Sequence, residues 1–149
     1  MIPVYNYEFR IIKENNKDII KFNYDNNTVS VQFQKVSSIF NLDKKSYIFL
    51  TNSYVVGFYE NDVKDTLTNN YGSLYKKMNT IIDIIKKYAE LQNSKVLLFE
   101  PLEQKREKLY NRYLHNLNLK YWNINSKLFI FNHKKDRIFS DNIIIVDLD

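Results

Sequence analysis

The sequence predicts one α/β domain of the α+β kind spanning residues 1–149, with a mainly antiparallel sheet and two principal helices. Three observations predict it. The first sixty residues read as strands, with apolar and polar side chains alternating at 5–11 and 28–33, the period switches to helical spacing after Gly72, and a short unbroken apolar run, Val96-Leu97-Leu98-Phe99, follows. Alternation marks half-buried strands, the 3.6-residue period marks an amphipathic helix, and a continuous apolar run bounded by polar residues marks a strand buried on both faces.

The elements follow in order. Residues 5–11 alternate strictly, with Tyr5, Tyr7, Phe9 and Ile11 on one side, and read as a strand. Residues 19–24 and 28–33 flank Asp25-Asn26-Asn27, whose side chains tolerate the positive φ of a tight turn, so they read as a hairpin with Val29, Val31 and Phe33 on one face. A second hairpin is expected between residues 47–50 and 54–59, turning at Thr51-Asn52-Ser53. Residues 60–72 are polar and read as a long loop. From Ser73, a candidate N-cap, the apolar stripe Leu74, Met78, Ile81, Ile82, Ile85, Tyr88 and Ala89 predicts the first helix, with Lys76, Lys77, Asp83, Lys86 and Lys87 on its solvated side.

Pro101 suits the opening of a second helix, whose stripe is Leu102, Leu109, Tyr110, Tyr113, Leu114 and Leu117. Helix, buried strand, helix is the order of an α/β crossover. Strands at residues 128–131 and 143–146 close the chain, joined by the basic turn His133-Lys134-Lys135-Asp136-Arg137.

Composition bounds the chemistry. A chain of 149 residues with 15% aromatics can bury one core without staples, and the absence of cysteine excludes disulfides and thiolate metal sites. His115 and His133 stand eighteen positions apart with no cluster of acids, so no metal ligand set is readable and none is expected. The opening Met1-Ile2-Pro3-Val4-Tyr5 has no basic region leading into an apolar run, and no window approaches the roughly 20 apolar residues of a membrane span. Neither a signal peptide nor a membrane partner is expected; the expected location is the cytoplasm, or a virion assembled there. The net charge of +5 comes from 22 basic and 17 acidic residues, a balance that tolerates acidic partners without demanding them.

The stretch Lys108-Leu109-Tyr110-Asn111-Arg112-Tyr113-Leu114, set after the buried strand, resembles the later portion of the GCN5-related N-acetyltransferase (GNAT) fold: strand meander, helix, strand, helix, closing pair of strands. The Arg-x-x-Leu-Tyr-x-Arg pattern at Arg106, Leu109, Tyr110 and Arg112 is also similar to uncharacterised small proteins of tailed bacteriophages. The resemblance covers about residues 54–119. It implies acetyl-CoA as cofactor, Tyr110 as the acid for the leaving thiolate, and Asn70, Tyr71, Gly72 and Ser73 as the pyrophosphate turn. That turn departs from the family pattern. It carries one glycine, and bulky neighbours hinder close approach of a diphosphate to main-chain N–H groups.

No cofactor is therefore expected, and the reading is a reduced GNAT-like domain serving as a phage-type protein-interaction module on a host or virion protein. A virion structural component, an acyltransferase and a nucleic-acid binder are the alternatives. Arg106, on the apolar stripe of its helix, is expected to pair with an acid such as Glu100 or Asp83. Arg112, Lys134, Lys135 and Arg137, with Tyr121 and Trp122 as stacking groups, are the surface that would meet nucleic acid or protein.

Overall fold

Two pairs of left-handed residues set the first strands. The computed structural model describes residues 2–41, 46–61, 63–64 and 71–99, with strand segments at 123–126, 129–131, 137–138 and 144–147. β1 (Ile12–Glu14) turns into β2 (Lys17–Tyr24) through Asn15 and Asn16, at φ 50° and 64°, and β2 turns into β3 (Asn27–Asn41) through Asp25 and Asn26, at φ 44° and 64°. Two-residue loops with both φ positive are type I′ turns, whose twist matches that of the flanking strands. The hairpin expected around Asp25-Asn26-Asn27 is thus present, with Asn27 already in β3 and the turn one residue shorter, and its register pairs Tyr24 with Asn27 through Lys17 with Gln34.

The second expected hairpin is not. Residues 46–60 form one strand, β4 (Ser46–Glu60), antiparallel to β3 along its length. Asn52 is left-handed at φ 48°, but it makes a bulge instead of a turn: the register jumps from Val36↔Ser53 to Ser38↔Phe49. Left-handed asparagine serves both structures, so its presence alone did not choose between them.

Residues 5–11 alternate as expected in burial, yet they form no ladder. Tyr5, Tyr7, Phe9 and Ile11 pack against the core. The segment is a strap on the helix α1 (Tyr71–Gln92): Asn79 Nδ2 donates to the Pro3 carbonyl at 3.2 Å, Tyr5 N–H donates to Thr80 Oγ1 at 2.8 Å, and Tyr7 hydroxyl donates to Asp83 at 2.6 Å. Tyr5 stacks on both Phe22 and Tyr24. Its ring gains more contact between helix and sheet than an edge position offers.

The polar stretch expected as a loop is partly ordered too. β5 (Val63–Lys64) pairs with the end of β4, and α1 begins at Tyr71, so Ser73 lies inside the first turn and does not cap it. After α1, β6 (Val96–Phe99) runs parallel to β4, Ser53↔Val96 through Val56↔Phe99. β4, α1 and the parallel β6 form a strand–helix–strand crossover. The second helix expected from Pro101 lies outside the described residues.

β7 (Asn123–Ser126), β8 (Phe129–Phe131), β9 (Arg137–Ile138) and β10 (Ile144–Asp147) complete a mixed sheet ordered β1-β2-β3-β4-β6-β10-β7, with β5 on β4 and β8 joining β3 to β9. Strands near residues 128–131 and 143–146 were expected; β1 and β7 were not. Arg137, expected in a turn, belongs to β9 and pairs with Phe131.

The core lies between α1 and one face of the sheet. Ile20, Phe22, Val29, Val31, Phe33, Tyr54, Val56, Phe58, Leu97 and Phe99 meet Met78, Ile81, Ile82, Ile85, Tyr88 and Ala89, each side chain contributing about 1.5–3 kcal/mol on burial. Leu98 and Val55 alternate to the other face and are buried there, as the apolar run predicted.

Candidate functional site

Of the residues singled out for the pyrophosphate turn, Tyr71, Gly72 and Ser73 form the first turn of α1, where main-chain N–H groups lack intrahelical partners. Asn70, Arg106, Tyr110, Arg112, Tyr121, Trp122, Lys134 and Lys135 lie outside the described residues, as do His115 and His133. Asp83, offered as a partner for Arg106, accepts from Tyr7 and forms an i,i+4 ion pair with Lys87 at 3.2 Å.

Two polar constellations emerge that the sequence reading missed. The first joins β2, β4 and α1 inside the protein. Lys77 is 1% exposed and sits 3.4 Å from Glu60 Oε2, while the Tyr24 hydroxyl donates to Glu60 Oε1. Lys77 was expected on the solvated side. The signal against that was spacing: it falls three residues after Leu74 and four before Ile81, on the apolar stripe itself. Glu60, read as the start of a loop, is the last residue of β4 and points to the helix side with Phe58 and Val56. Each charge is answered by the other, so the cluster is a structural clamp.

The second lies at the other end of α1. An open cleft of about 480 Å³ is lined by the β1–β2 turn, Asp18, Phe33, Lys35, Tyr54 and Gln92. Asp18 accepts from the Tyr88 hydroxyl at 2.6 Å and pairs with Lys13 at 3.3 Å. Burial, then the Asp18 carboxylate, push the Tyr88 phenol well above its ordinary range. The phenol is held protonated and the Asp18 carboxylate is engaged by two donors, while Glu14, Lys17 and Lys35 also line the cleft.

A third feature is apolar. At the Asn52 bulge, Lys95 N–H donates to the Asn52 carbonyl at 2.8 Å, which fixes where β6 begins. The part of β4 before the bulge therefore has no β6 beside it. It pairs with β3 as an arm, and the same stretch of β3 pairs with β8 through Ile39↔Phe131. Tyr47 and Phe49, two positions apart, share one side of this arm. Phe49 is 82% exposed and Tyr47 50%. A large aromatic this accessible, beside another, is a contact group more than a core group.

Among the described residues no cluster of three His, Asp or Glu side chains is placed to hold a metal ion, and no helix is long and apolar enough to cross a membrane. No family profile, no curated protein and no solved structure matches the chain.

Proposed function

We propose that the chain is a non-enzymatic, phage-type protein-interaction module that acts on a host or virion protein, in the host cytoplasm or within the virion. The observation that carries this reading is Phe49, 82% exposed on an arm that the Asn52 bulge sets off from the rest of β4. Exposing a phenylalanine forgoes burial worth about 1.5–3 kcal/mol, and a partner's apolar pocket recovers it.

A reduced GNAT-like fold is part of the same proposal. In its support, an antiparallel meander leads through α1 to a strand parallel to β4, and β7 and β10 form a closing pair. The proposal keeps a second helix over residues 101–117. It gives no role to acetyl-CoA, because the sequence Asn70-Tyr71-Gly72-Ser73 carries a single glycine where a diphosphate would need bare main chain.

Photo-crosslinking tests it. A benzophenone amino acid at position 49, in extract of the natural host or on assembled particles, is expected to label one protein, and Tyr47→Asp is expected to abolish that label. The same probe at Lys87, on α1, is expected to label nothing specific. Equal labelling from both positions overturns the arm as the contact. Calorimetric titration with acetyl-CoA is expected to give no heat; micromolar binding overturns the non-enzymatic reading.

A further inference from the structure

We infer that the outer edge of β2 pairs antiparallel with the same edge of a second copy of this chain, Lys21 of each opposite Asn23 of the other. The inference is independent of the arm on β3 and β4.

The two type I′ turns fix which main-chain groups of β2 face outward. In a two-residue hairpin the residues flanking the turn exchange N–H and C=O, and the hydrogen-bonded role then alternates along each strand. Tyr24 flanks the second turn opposite Asn27, so Tyr24, Phe22 and Ile20 direct their main chain to β3. Lys17 flanks the first turn opposite Glu14, so Lys17, Ile19, Lys21 and Asn23 direct theirs the other way. The two turns give the same answer independently.

β1 covers only part of that outward side. It ends at Ile12↔Ile19, and the chain before it leaves the edge to become the strap on α1. Continued in register, the hairpin would have set Arg10 against Lys21, a like-charge pair. The N–H and C=O of Lys21 and of Asn23 therefore lie on an open edge, and among the described residues no hydrogen bond reaches them. Both residues are exposed.

This edge is complementary to itself. With a twofold axis at Phe22, Lys21 faces Asn23 of the other copy and Asn23 faces its Lys21; every outward N–H meets an outward C=O, and no lysine opposes a lysine. Shifting the axis to Lys21 would set the two lysines opposite each other and run the pairing into Ile19, which β1 already occupies. An isologous contact of this kind closes on itself as a dimer. Ile2 and Val4, exposed on the strap beside Tyr5, supply apolar surface next to Phe22 and Tyr24, on which Tyr5 stacks. At one hydrogen bond per 100–200 Å², four main-chain bonds correspond to roughly 400–800 Å². That is below the standard size of a tight interface, so the dimer forms at high concentration.

Two experiments test it. The chain has no cysteine, so K21C and N23C chains can be mixed and oxidised without background; a hydrogen-bonded pair at about 5.5 Å between Cα atoms admits a disulfide. K21C–N23C heterodimers are expected to exceed K21C homodimers several-fold; equal yields overturn the register. Light scattering on the intact chain at roughly 100 μM is expected to give about twice 18.0 kDa. Lys21→Pro removes an outward N–H at no cost to internal bonds and is expected to give a monomer with an unchanged circular dichroism spectrum. A wild-type monomer at that concentration, or a Lys21→Pro protein that stays dimeric, overturns the inference.

Discussion

Tyr88 lies face to face with Phe33, ring centroids 3.8 Å apart and planes 7° from parallel, while its hydroxyl reaches past the stack to Asp18. Tyr54 meets the same ring edge-on at 5.3 Å. One side chain of α1 thus bonds to β2, stacks on β3 and abuts β4, and the end of the helix is registered on three strands at once.

Tyr88→Phe keeps the stack and removes the bond to Asp18, an expected loss of roughly 1.5–3 kcal/mol for a hydrogen bond to a charged acceptor. Tyr88→Ala removes the ring as well, with an expected loss of about 3–5 kcal/mol. Urea unfolding midpoints measure both. Equal losses would mean that the ring contributes nothing beyond its hydroxyl.

Glu60 and Lys77 predict a larger asymmetry. Glu60→Ala leaves a buried ammonium without its carboxylate and is expected to cost about 3–5 kcal/mol; Glu60→Ala with Lys77→Met replaces the pair by apolar atoms and is expected to recover most of it. A double variant no more stable than the single one would show that Lys77 is satisfied without Glu60.

Those two pairs also mark the limit of what the sequence discloses. The stripe from Leu74 to Ala89 gave α1 and its buried side, and Asp25-Asn26 gave the turn after β2, because both signals are local. Lys77 was misread although its spacing from Leu74 and Ile81 puts it on the apolar stripe, because nothing local announces Glu60, seventeen positions away, as the partner that lets a lysine lie there. Tyr5 to Ile11 showed the right alternation for a strand and became a strap, since alternation reports which side chains are buried and not what the main chain bonds to. Asn52 announced a left-handed residue, and only the partner strand made it a bulge. Of the expected site residues, Tyr110 and the turn at 70–73 rested on a resemblance and the others on helix spacing and on clustered basic and aromatic residues, whereas the polar constellations now visible depend on pairings between residues far apart in the chain.

The type I′ turns predict gains. Asn16 and Asn26 sit at φ 64°, where glycine is free of the Cβ penalty, so Asn16→Gly and Asn26→Gly are each expected to stabilise by roughly 0.5–1 kcal/mol. Asn16→Val is expected to destabilise by about 1–2 kcal/mol. Thermal unfolding distinguishes the two directions, and a destabilising glycine would mean that the asparagine side chain, not its backbone tolerance, holds the turn.

The strap predicts a pH dependence of definite sign. Burial, then the adjacent Asp83 carboxylate, push the Tyr7 phenol up to about 12 from an ordinary 10.0. The unfolded chain therefore sheds this proton first as pH rises, so the stability tied to the Tyr7–Asp83 bond is whole below pH 10 and is lost on the way to pH 12. Lys87 stands over the Tyr7 ring at 4.9 Å, and its own pKa is raised, first by Tyr7 and then by Asp83, so its contribution disappears in the same direction above its ordinary 10.5. Tyr7→Phe is expected to be less stable than the native chain at pH 8, by about 0.5–1.5 kcal/mol for one lost hydrogen bond. The gap should close between pH 10 and 12, because the native chain loses there what the variant never had. Urea unfolding of both proteins across that range is the measurement. A gap that stays constant would show that the Tyr7 hydroxyl is not bonded to Asp83 in solution and that its ring alone holds the strap to α1.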